Sequence, residues 1–512
     1  MRWSPREQAC VSALTMGGKP VELNLVEVLR QAEDVAAVYG RTPGETVAVT
    51  EWLLGLAYAA GFYPETANEW RTWVENRESL DDVADWLQDH DGCWDLFDPL
   101  APLGQNPALH PHLNAFGVGP AQLVMEQAGD YNQFFSREHL HSPAILPAAE
   151  AWRAMLTQHA YAIGMKAKIK TKDMGLPAPF ANLSSARLVS RLRVIARPAW
   201  EGATFGDLLR LNLTPSGDDN PGRLNLTWQQ PAGPVRRDFT RRGAEQTRTP
   251  TGPADLHTML GRSIALRPAA LPDGTAGVDL VLIGPGETVS DLPAAFLQDA
   301  VTSEKGLLKP SLTRDLWRQS HALYAAVAER DKGTDLYGRI AMLHGRRIHL
   351  LAVGLLATQG KLVSWVADEY PYVPGRETEL RHAAEQGSAI CEHAAKGLYA
   401  AAATAQTYTY PQAKPADRPA QIARFNGSTE LWGAASDLFH TLMDDVADGI
   451  PAVEALTAFA TALRAVTANS LEARIASLPT AGNGLEAQSR ARARLTEYLN
   501  QPNTPVHLKD PS

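Results

Sequence analysis

The chain has 512 residues, of which 45% are hydrophobic and 21% charged, with a formal net charge of -9 at pH 7. That length accommodates about two to four domains with sizeable cores, and that composition excludes wholesale disorder and a fibrous design. No run of about 18 uncharged apolar residues occurs, and the opening MRWSPREQAC has no apolar signal core, so a cytoplasmic protein is expected. Cys10, Cys93 and Cys391 lie too far apart for a disulfide framework or a CxxC metal pair and are expected as buried small side chains.

In chain order, PVELNLVEVLRQAEDVAAVYG (20–40) moves from a short strand into an amphipathic helix. GETVAVTEWLLGLAYAAGFYP (44–64) predicts a helix stopped at Gly61 and Pro64. SLDDVADWLQDH predicts a capped helix beginning at Ser79, and WDLFDPLAPLGQNPAL (94–109) an aromatic, proline-rich loop. From about residue 180 to 350 the pattern becomes β-like. GVDLVLIG (277–284) and RRIHLLAVGLLA (346–357) are short apolar runs, and RLNLTWQQPAGPVRRDF (223–239) resembles a hairpin around Pro231 to Pro234. One helix, SLTRDLWRQSHALYAAVAERD (311–331), interrupts them.

Beyond YPYVPGRE (370–377), which reads as a linker, four helices are expected, over 377–406, 419–449, 451–478 and 484–500, with breaks carrying Pro and Gly. The expected fold class is α+β: a large mixed N-terminal domain, residues 1–372, followed by a C-terminal four-helix bundle, residues 373–512.

Charge along this acidic chain is sorted. IGMKAKIKTKDMG (163–175) sets Lys166, Lys168, Lys170 and Lys172 at every second position. From Tyr161 to Trp200 these four and Arg187, Arg191, Arg193 and Arg197 face the single acid Asp173. Further clusters hold Arg236, Arg237, Arg241, Arg242 and Arg248, then Arg346 and Arg347. Screening limits distant acids to a reach of about 8 to 10 Å, so such clusters form a footprint for phosphates.

Catalytic signatures are scarce. Neither GxxxxGK[ST] nor GxSxG occurs, and GPGE (284–287) reads as a turn. His110 with His112, and His139 with His141, lack a nearby cysteine or spaced acid and are expected to be solvated or hydrogen-bonded, not metal-bound.

Several segments, in order, resemble the large subunit of the type I-E CRISPR surveillance complex Cascade, the CasA family. GKPVELNLVEVLRQA resembles its N-terminal strand and helix, WDLFDPLAPLGQNPAL its FDLF…PFLQ loop, and YNQFFSREHL its L1 loop. AWRAMLTQHAYAIGMKAK resembles the helix leading into its glycine loop, LHTMLGRSIAL its LLTW.SRRI.L segment, and LLAVGLLATQGKLVSW its FGL…Q.K…W hairpin. The resemblance extends over about 450 residues.

It implies a non-catalytic subunit that recognises a protospacer-adjacent motif (PAM) in double-stranded DNA, helps open the duplex for R-loop formation and recruits an effector helicase-nuclease. Its implied partners are other Cascade subunits, crRNA and duplex DNA, with no membrane. It implies a glutamine wedge at Gln359 flanked by Thr358, Gly360 and Lys361, and a glycine-loop equivalent beginning at Gly164. There Met165, Lys166, Ala167 and Lys168, followed by Lys170 and Lys172, stand where some relatives have further glycines. Arg248 corresponds to a basic residue at the minor groove. Phe134 and Phe135 correspond to aromatic anchors of L1, toward the crRNA handle, with Ser136 and Arg137 its polar contacts. The zinc-binding cysteines of some relatives are missing after this loop, so no zinc and no other cofactor is expected. Three alternatives stand beside this reading: a transposon-linked or repurposed Cascade recruiting another effector, an unrecognised metal-dependent nuclease, and a protein-binding scaffold that touches no DNA.

Overall fold

Strand β1 (Val11–Thr15) lies between β2 (Pro20–Leu23) and β3 (Val35–Tyr39) in an antiparallel sheet of order β2-β1-β3. Helix α1 (Leu25–Arg30) joins β2 to β3 and is fixed by a reciprocal cap: the Glu27 amide donates to Asn24 Oδ1, and the Asn24 amide to Glu27 Oε2, both at 2.9 Å. The helix expected to run on toward Gly40 stops at Arg30. Val35 and Val38 bury against β1 as strand residues, and Met16 N donates to Asp34 O at 2.9 Å, so cross-strand packing overrides the helical pattern.

Helix α2 (Pro43–Ala59) starts with Pro43 behind the cap Thr42, whose hydroxyl accepts from the Glu45 amide. It is buried on nearly every face. Trp52 on it meets Trp94 and Trp152 edge-on, at centroid distances of 5.9 and 5.7 Å. Helices α3 (Ala67–Asn76) and α4 (Asp81–Asp89) follow; Ser79 Oγ accepts from the Asp81 amide, and the helix begins beyond it. After α5 (His110–Phe116), the short strand β4 (Leu146–Pro147) leads into α6 (Ala148–Tyr161), which packs on α2.

Short antiparallel β5 (Met165–Lys166) and β6 (Asn182–Leu183) pair with each other. Strand β7 (Arg193–Pro198) is followed by α7 (Phe205–Asn212). Residues 223–228 are not a strand: Leu226 O accepts from Gly104 N at 2.6 Å and Trp228 N donates to Gln105 O at 3.3 Å, single bonds to a loop instead of a ladder. The rest of that expected hairpin, with Pro231 and Pro234, lies outside the described residues, which are 1–127, 144–166, 182–189, 191–215, 220–228, 247–289, 296–303, 306–311, 315–328, 335–358 and 361–509 of this computed structural model.

Strand β8 (Thr247–Arg248) precedes α8 (Pro253–His257) and the long antiparallel pair β9 (Arg262–Ala270) and β10 (Ala276–Pro285), with β4 on the far edge of β10. β11 (Thr288–Val289) pairs in parallel with β8, and β12 (Thr302–Ser303) pairs with β13 (Gly306–Leu307). Two further long strands, β14 (Ile348–Thr358) and β15 (Lys361–Tyr372), form a sheet of order β15-β14-β7.

The chain divides into two compact units. One is Met1–Thr313 with Arg330–Glu369, and the other is Arg314–Glu329 with Tyr370–Ser512. The first holds the sheets and one continuous core from Trp3 to Leu355.

The second unit is helical: α9 (Ser320–Ala328), then, beyond α10 (Leu336–Ile340) of the first unit, α11 (Glu377–Thr409), α12 (Arg418–Phe425), α13 (Ser428–Ala447), α14 (Ala452–Ile475) and α15 (Asn483–Leu499). Helices α11, α13, α14 and α15 form the four-helix bundle, with α11 packed on the other three. Its contact face is small: Ala384, Ala394, Ala401 and Ala405 are fully buried, and Gly387 lies against Leu442 and Phe439. The single helix expected over 419–449 is two. At the break, Asn426 Oδ1 accepts from the Ser428 amide, and a Cβ on Gly427 would stand 2.6 Å from Ser470 O. Among the described residues no helix is long and apolar enough to cross a membrane.

Candidate nucleic-acid interface

Helix α6 ends at Tyr161, and the chain turns through Ala162 and Gly164 into the β5–β6 ribbon. This ribbon pairs Met165 with Leu183 and Lys166 with Asn182, so its two limbs are the attachment points of residues 167–181. Ala167, Lys168, Lys170 and Lys172 lie outside the described residues. The base of the ribbon is tightly built. Gly164 N donates to Ser185 Oγ at 3.1 Å, and a Cβ at Gly164 would stand 2.9 Å from that oxygen and 3.3 Å from Leu183 O. Buried Arg262 ties the limbs together, donating to Ile163 O at 2.8 Å and Ser184 O at 2.5 Å. Its acceptors are uncharged carbonyls, and burial pushes its guanidinium down to about 9.

The turn carrying the expected wedge joins β14 to β15. Thr358 ends the first strand and Lys361 begins the second, while Gln359 and Gly360 lie outside the described residues. Trp365, on β15, fixes this hairpin to the rest of the unit. Its ring occupies the space a side chain on Gly44 of α2 would need and meets Tyr161 edge-on at 4.9 Å. Its Nε1–H donates to Glu126. Glu126 stands two positions before residues 128–143, the segment outside the described residues that contains Phe134, Phe135, Ser136 and Arg137.

Three stems therefore meet at Trp365: Glu126 before the Phe134–Arg137 segment, Tyr161 before the lysine-rich segment, and the hairpin bearing Gln359. Gln359 precedes Trp365 by six positions in the sequence. Arg262 and Glu126 are clamps that sequence reasoning missed, because their partners are distant backbone carbonyls or a distant indole. Trp365 was visible only as the last residue of LLAVGLLATQGKLVSW.

Much of the apparent basic footprint is internal. Glu51 on α2 accepts from Arg187 and from Arg193 Nε at 2.6 Å, and His257 Nδ1 lies 3.0 Å from it. Asp299 pairs with Arg191 at 2.7 Å and Arg193 at 3.0 Å. Burial pushes both carboxyls up, but the arginines outweigh it, holding Glu51 well below the usual carboxylate range and Asp299 at about 2. Arg197 pairs with Glu369 at 3.0 Å. Of the four arginines between Tyr161 and Trp200, three thus belong to buried ion pairs and Arg197 to a partly exposed one, so the lysines of 166–172 are the basic residues of that stretch that the sequence leaves as a candidate phosphate footprint.

Arg248 is also engaged. It donates to Asp255 through Nη1 (2.6 Å) and Nη2 (2.5 Å), and to Glu287 through Nε (2.7 Å) and Nη2 (3.0 Å). Burial lowers the Arg248 guanidinium's affinity for its proton, but the bonds to Glu287 and Asp255 outweigh this and raise it. Both carboxylates are almost fully buried, and Arg248 is 22% exposed. The clasp joins the β8–β11 pair to the start of α8. Neither acid was singled out from sequence, although Glu287 closes the GPGE turn.

Replacing Trp365 by Phe keeps most of the ring packing and removes the N–H to Glu126. A hydrogen bond to a charged group contributes about 1.5 to 3 kcal/mol, so amide exchange around residues 124–127 and 161–166 should become at least ~10-fold faster. Exchange unchanged in both stretches would mean that the stems are mechanically independent.

Comparison with known proteins bears on the whole chain. The family model for the CRISPR-associated protein Cse1 matches residues 11–470. No curated protein matches it. Among solved structures, Thermus thermophilus CasA (Cse1) is 20% identical with a TM-score of 0.75, covering 97% of this chain and 99% of that one. Cse1 from Acidimicrobium ferrooxidans is 19% identical with a TM-score of 0.73, covering 97% and 98%. A chain of a CRISPR RNA-guided surveillance complex is 16% identical with a TM-score of 0.69, covering 96% and 99%. At these identities the structural likeness speaks to the fold.

Proposed function

The chain belongs to the Cse1, or CasA, family, the large subunits of type I-E Cascade, and from that premise we propose that it recognises a PAM in duplex DNA, helps open the duplex and recruits an effector helicase-nuclease, without catalysis of its own. Guide RNA pairing reads the bulk of the target in such complexes, so the protein needs phosphate contacts and a few groove probes.

The observation that carries the proposal is the meeting of three stems at Trp365. A wedge pushed into a base stack must resist the stack, at a cost of a few kcal/mol per step. A hairpin whose strand order continues into β7, and whose Trp365 is packed on Gly44 and Tyr161, is a rigid base for Gln359. The lysine-rich segment, rooted beside it, supplies phosphate contacts that offset the unstacking. The Phe134–Arg137 segment, entered at Glu126, is assigned to the crRNA handle and to docking on the other subunits. A minor-groove contact by Arg248 requires it to leave Asp255 and Glu287, so it contributes to DNA binding only once that clasp opens.

The test uses guide-loaded complex with and without this subunit, on duplexes differing only in the two or three base pairs beside the target. Each wrong base pair typically costs about 1 to 3 kcal/mol, so motif-dependent affinity of at least ~10-fold should appear with the subunit and vanish without it. Affinity independent of the motif sinks the proposal. Gln359→Ala should slow strand opening, read by fluorescence of an unstacked base analogue, by ~10-fold or more, with duplex capture changed less than ~3-fold. An equal loss in both steps would make Gln359 a binding contact and not a wedge.

A further inference from the structure

Away from the three stems, the first unit holds a cavity of about 340 Å³. Its wall carries four arginines, Arg187, Arg191, Arg193 and Arg339, against two carboxylates, Glu51 and Asp299. Burial disfavours the charged form of His257, the remaining titratable group of the wall apart from Tyr58, and the nearby Glu51 offsets this only in part. Among the described residues the wall therefore has two more positive than negative charges.

The arginines are not equivalent. Arg187, Arg191 and Arg193 share Glu51 and Asp299. Arg339, on α10, donates to Gln298 Oε1 at 2.8 Å and Thr214 Oγ1 at 3.2 Å, both neutral. Among the described residues no carboxylate lies within ion-pair distance of it. The Nε–H groups of Arg339 and Arg191 are both buried and lack a hydrogen-bond partner. Burial pushes the Arg339 guanidinium down to about 10. The Asp335 carboxylate, at the start of α10, acts on it from beyond ion-pair distance and offsets the burial only in part. A buried cation without a directly paired anion is costly, and the remedy is a counter-anion.

We propose that this cavity binds a small oxyanion, inorganic phosphate or a phosphate monoester, with Arg339 and Arg191 as its principal ligands. A guanidinium edge suits two oxygens of a tetrahedral oxyanion, and the size falls in the range of small-ligand sites, about 300 to 1,000 Å³. Neutral donors Asn212, Thr214 and Gln298 line the same wall, and exposed Asn220 marks the side on which it reaches the surface. This site is independent of the DNA-facing reading.

The experiment is calorimetric titration of the full chain with inorganic phosphate, and separately with adenosine monophosphate, at constant ionic strength against chloride. A single saturable site for either ligand is expected, weakened at least ~10-fold in Arg339→Gln. Phosphate alone binding identifies the free anion, and tighter binding of the nucleotide identifies an ester site. No saturable binding of either ligand overturns the proposal, as does unchanged affinity in folded Arg339→Gln. Asp218 and Asp219 lie in the segment between Pro215 and Asn220; if binding appears only in the double variant Asp218→Asn and Asp219→Asn, the chain supplies its own counter-charge and the proposal fails. Should Arg339→Gln not fold, wild-type crystals grown with tungstate decide: a heavy-atom peak in the cavity supports the site, and its absence there refutes it.

Discussion

Replacing Lys166, Lys168, Lys170 and Lys172 together by alanine should weaken binding of the guide-loaded complex to every duplex, whatever its motif. Each phosphate neutralised by a lysine contributes about 0.9 to the slope of log affinity against log salt, so losing two to four contacts lowers that slope by about 2 to 4 and costs about a hundred-fold or more in affinity at 0.1 M salt. The effect is large because the other basic residues nearby in sequence are taken up elsewhere: Arg187 and Arg193 by Glu51, Arg191 by Asp299 and Arg197 by Glu369. The ribbon should remain folded in the variant, because its base depends on Gly164, Ser185 and Arg262 and not on the lysine heads. Motif preference should persist while overall affinity falls. An unchanged salt slope would remove the lysines from the DNA contact.

Glu51→Gln should be the most destabilising single conservative change in the first unit. The carboxylate is 2% exposed and holds Arg187 and Arg193. Removing one partner of a buried ion cluster leaves the other charges uncompensated, at about 3 to 5 kcal/mol, measurable as a fall in the denaturant midpoint without a change of slope. A loss under about 1 kcal/mol would mean that water reaches the cluster.

The same cluster sets an acid limit. Glu51 and Asp299 have folded-state values below those of the unfolded chain, so each contributes stability that is present above the unfolded value and lost as pH falls through the folded one. For Asp299 that window runs from about 3.9, the unperturbed value, down to about 2. His257, depressed by burial, acts earlier in the same direction: protonation in the unfolded chain below about 6.5 begins to favour unfolding. Glu51→Gln should flatten the acid part of the profile, and an unaltered profile would place the acid sensitivity elsewhere.

How much of this was legible in the residues depended on the range of each interaction. The bundle helices show in the sequence because the 3.6-residue period and the Pro and Gly breaks are local signals, and β10 and β14 show as apolar runs bounded by turns. Local signals failed where a distant partner decided the outcome. β3 is a strand because β1 lies beside it, the 419–449 helix breaks where Gly427 meets Ser470, and residues 223–228 are held by Gly104 and Gln105 instead of a neighbouring strand.

The site divides in the same way. Order and spacing of motifs along the chain identified the family, and the resemblance singled out as candidates the segments carrying Lys166–Lys172, Gln359 and Phe134–Phe135. Their stems converge through Trp365, whose partner Glu126 is 239 positions away. Charge counting along the sequence treated Arg187, Arg191 and Arg193 as surface footprint, because a linear count registers sign but not burial. Their acids lie 136, 108 and 142 positions away. The bundle helices, the apolar strands β10 and β14 and family membership were thus legible in the sequence alone, since they rest on local pattern and order. Which charges face solvent, which pair inside, and which loops share one root were decided only by the tertiary structure, because each depends on contacts between residues far apart in the chain.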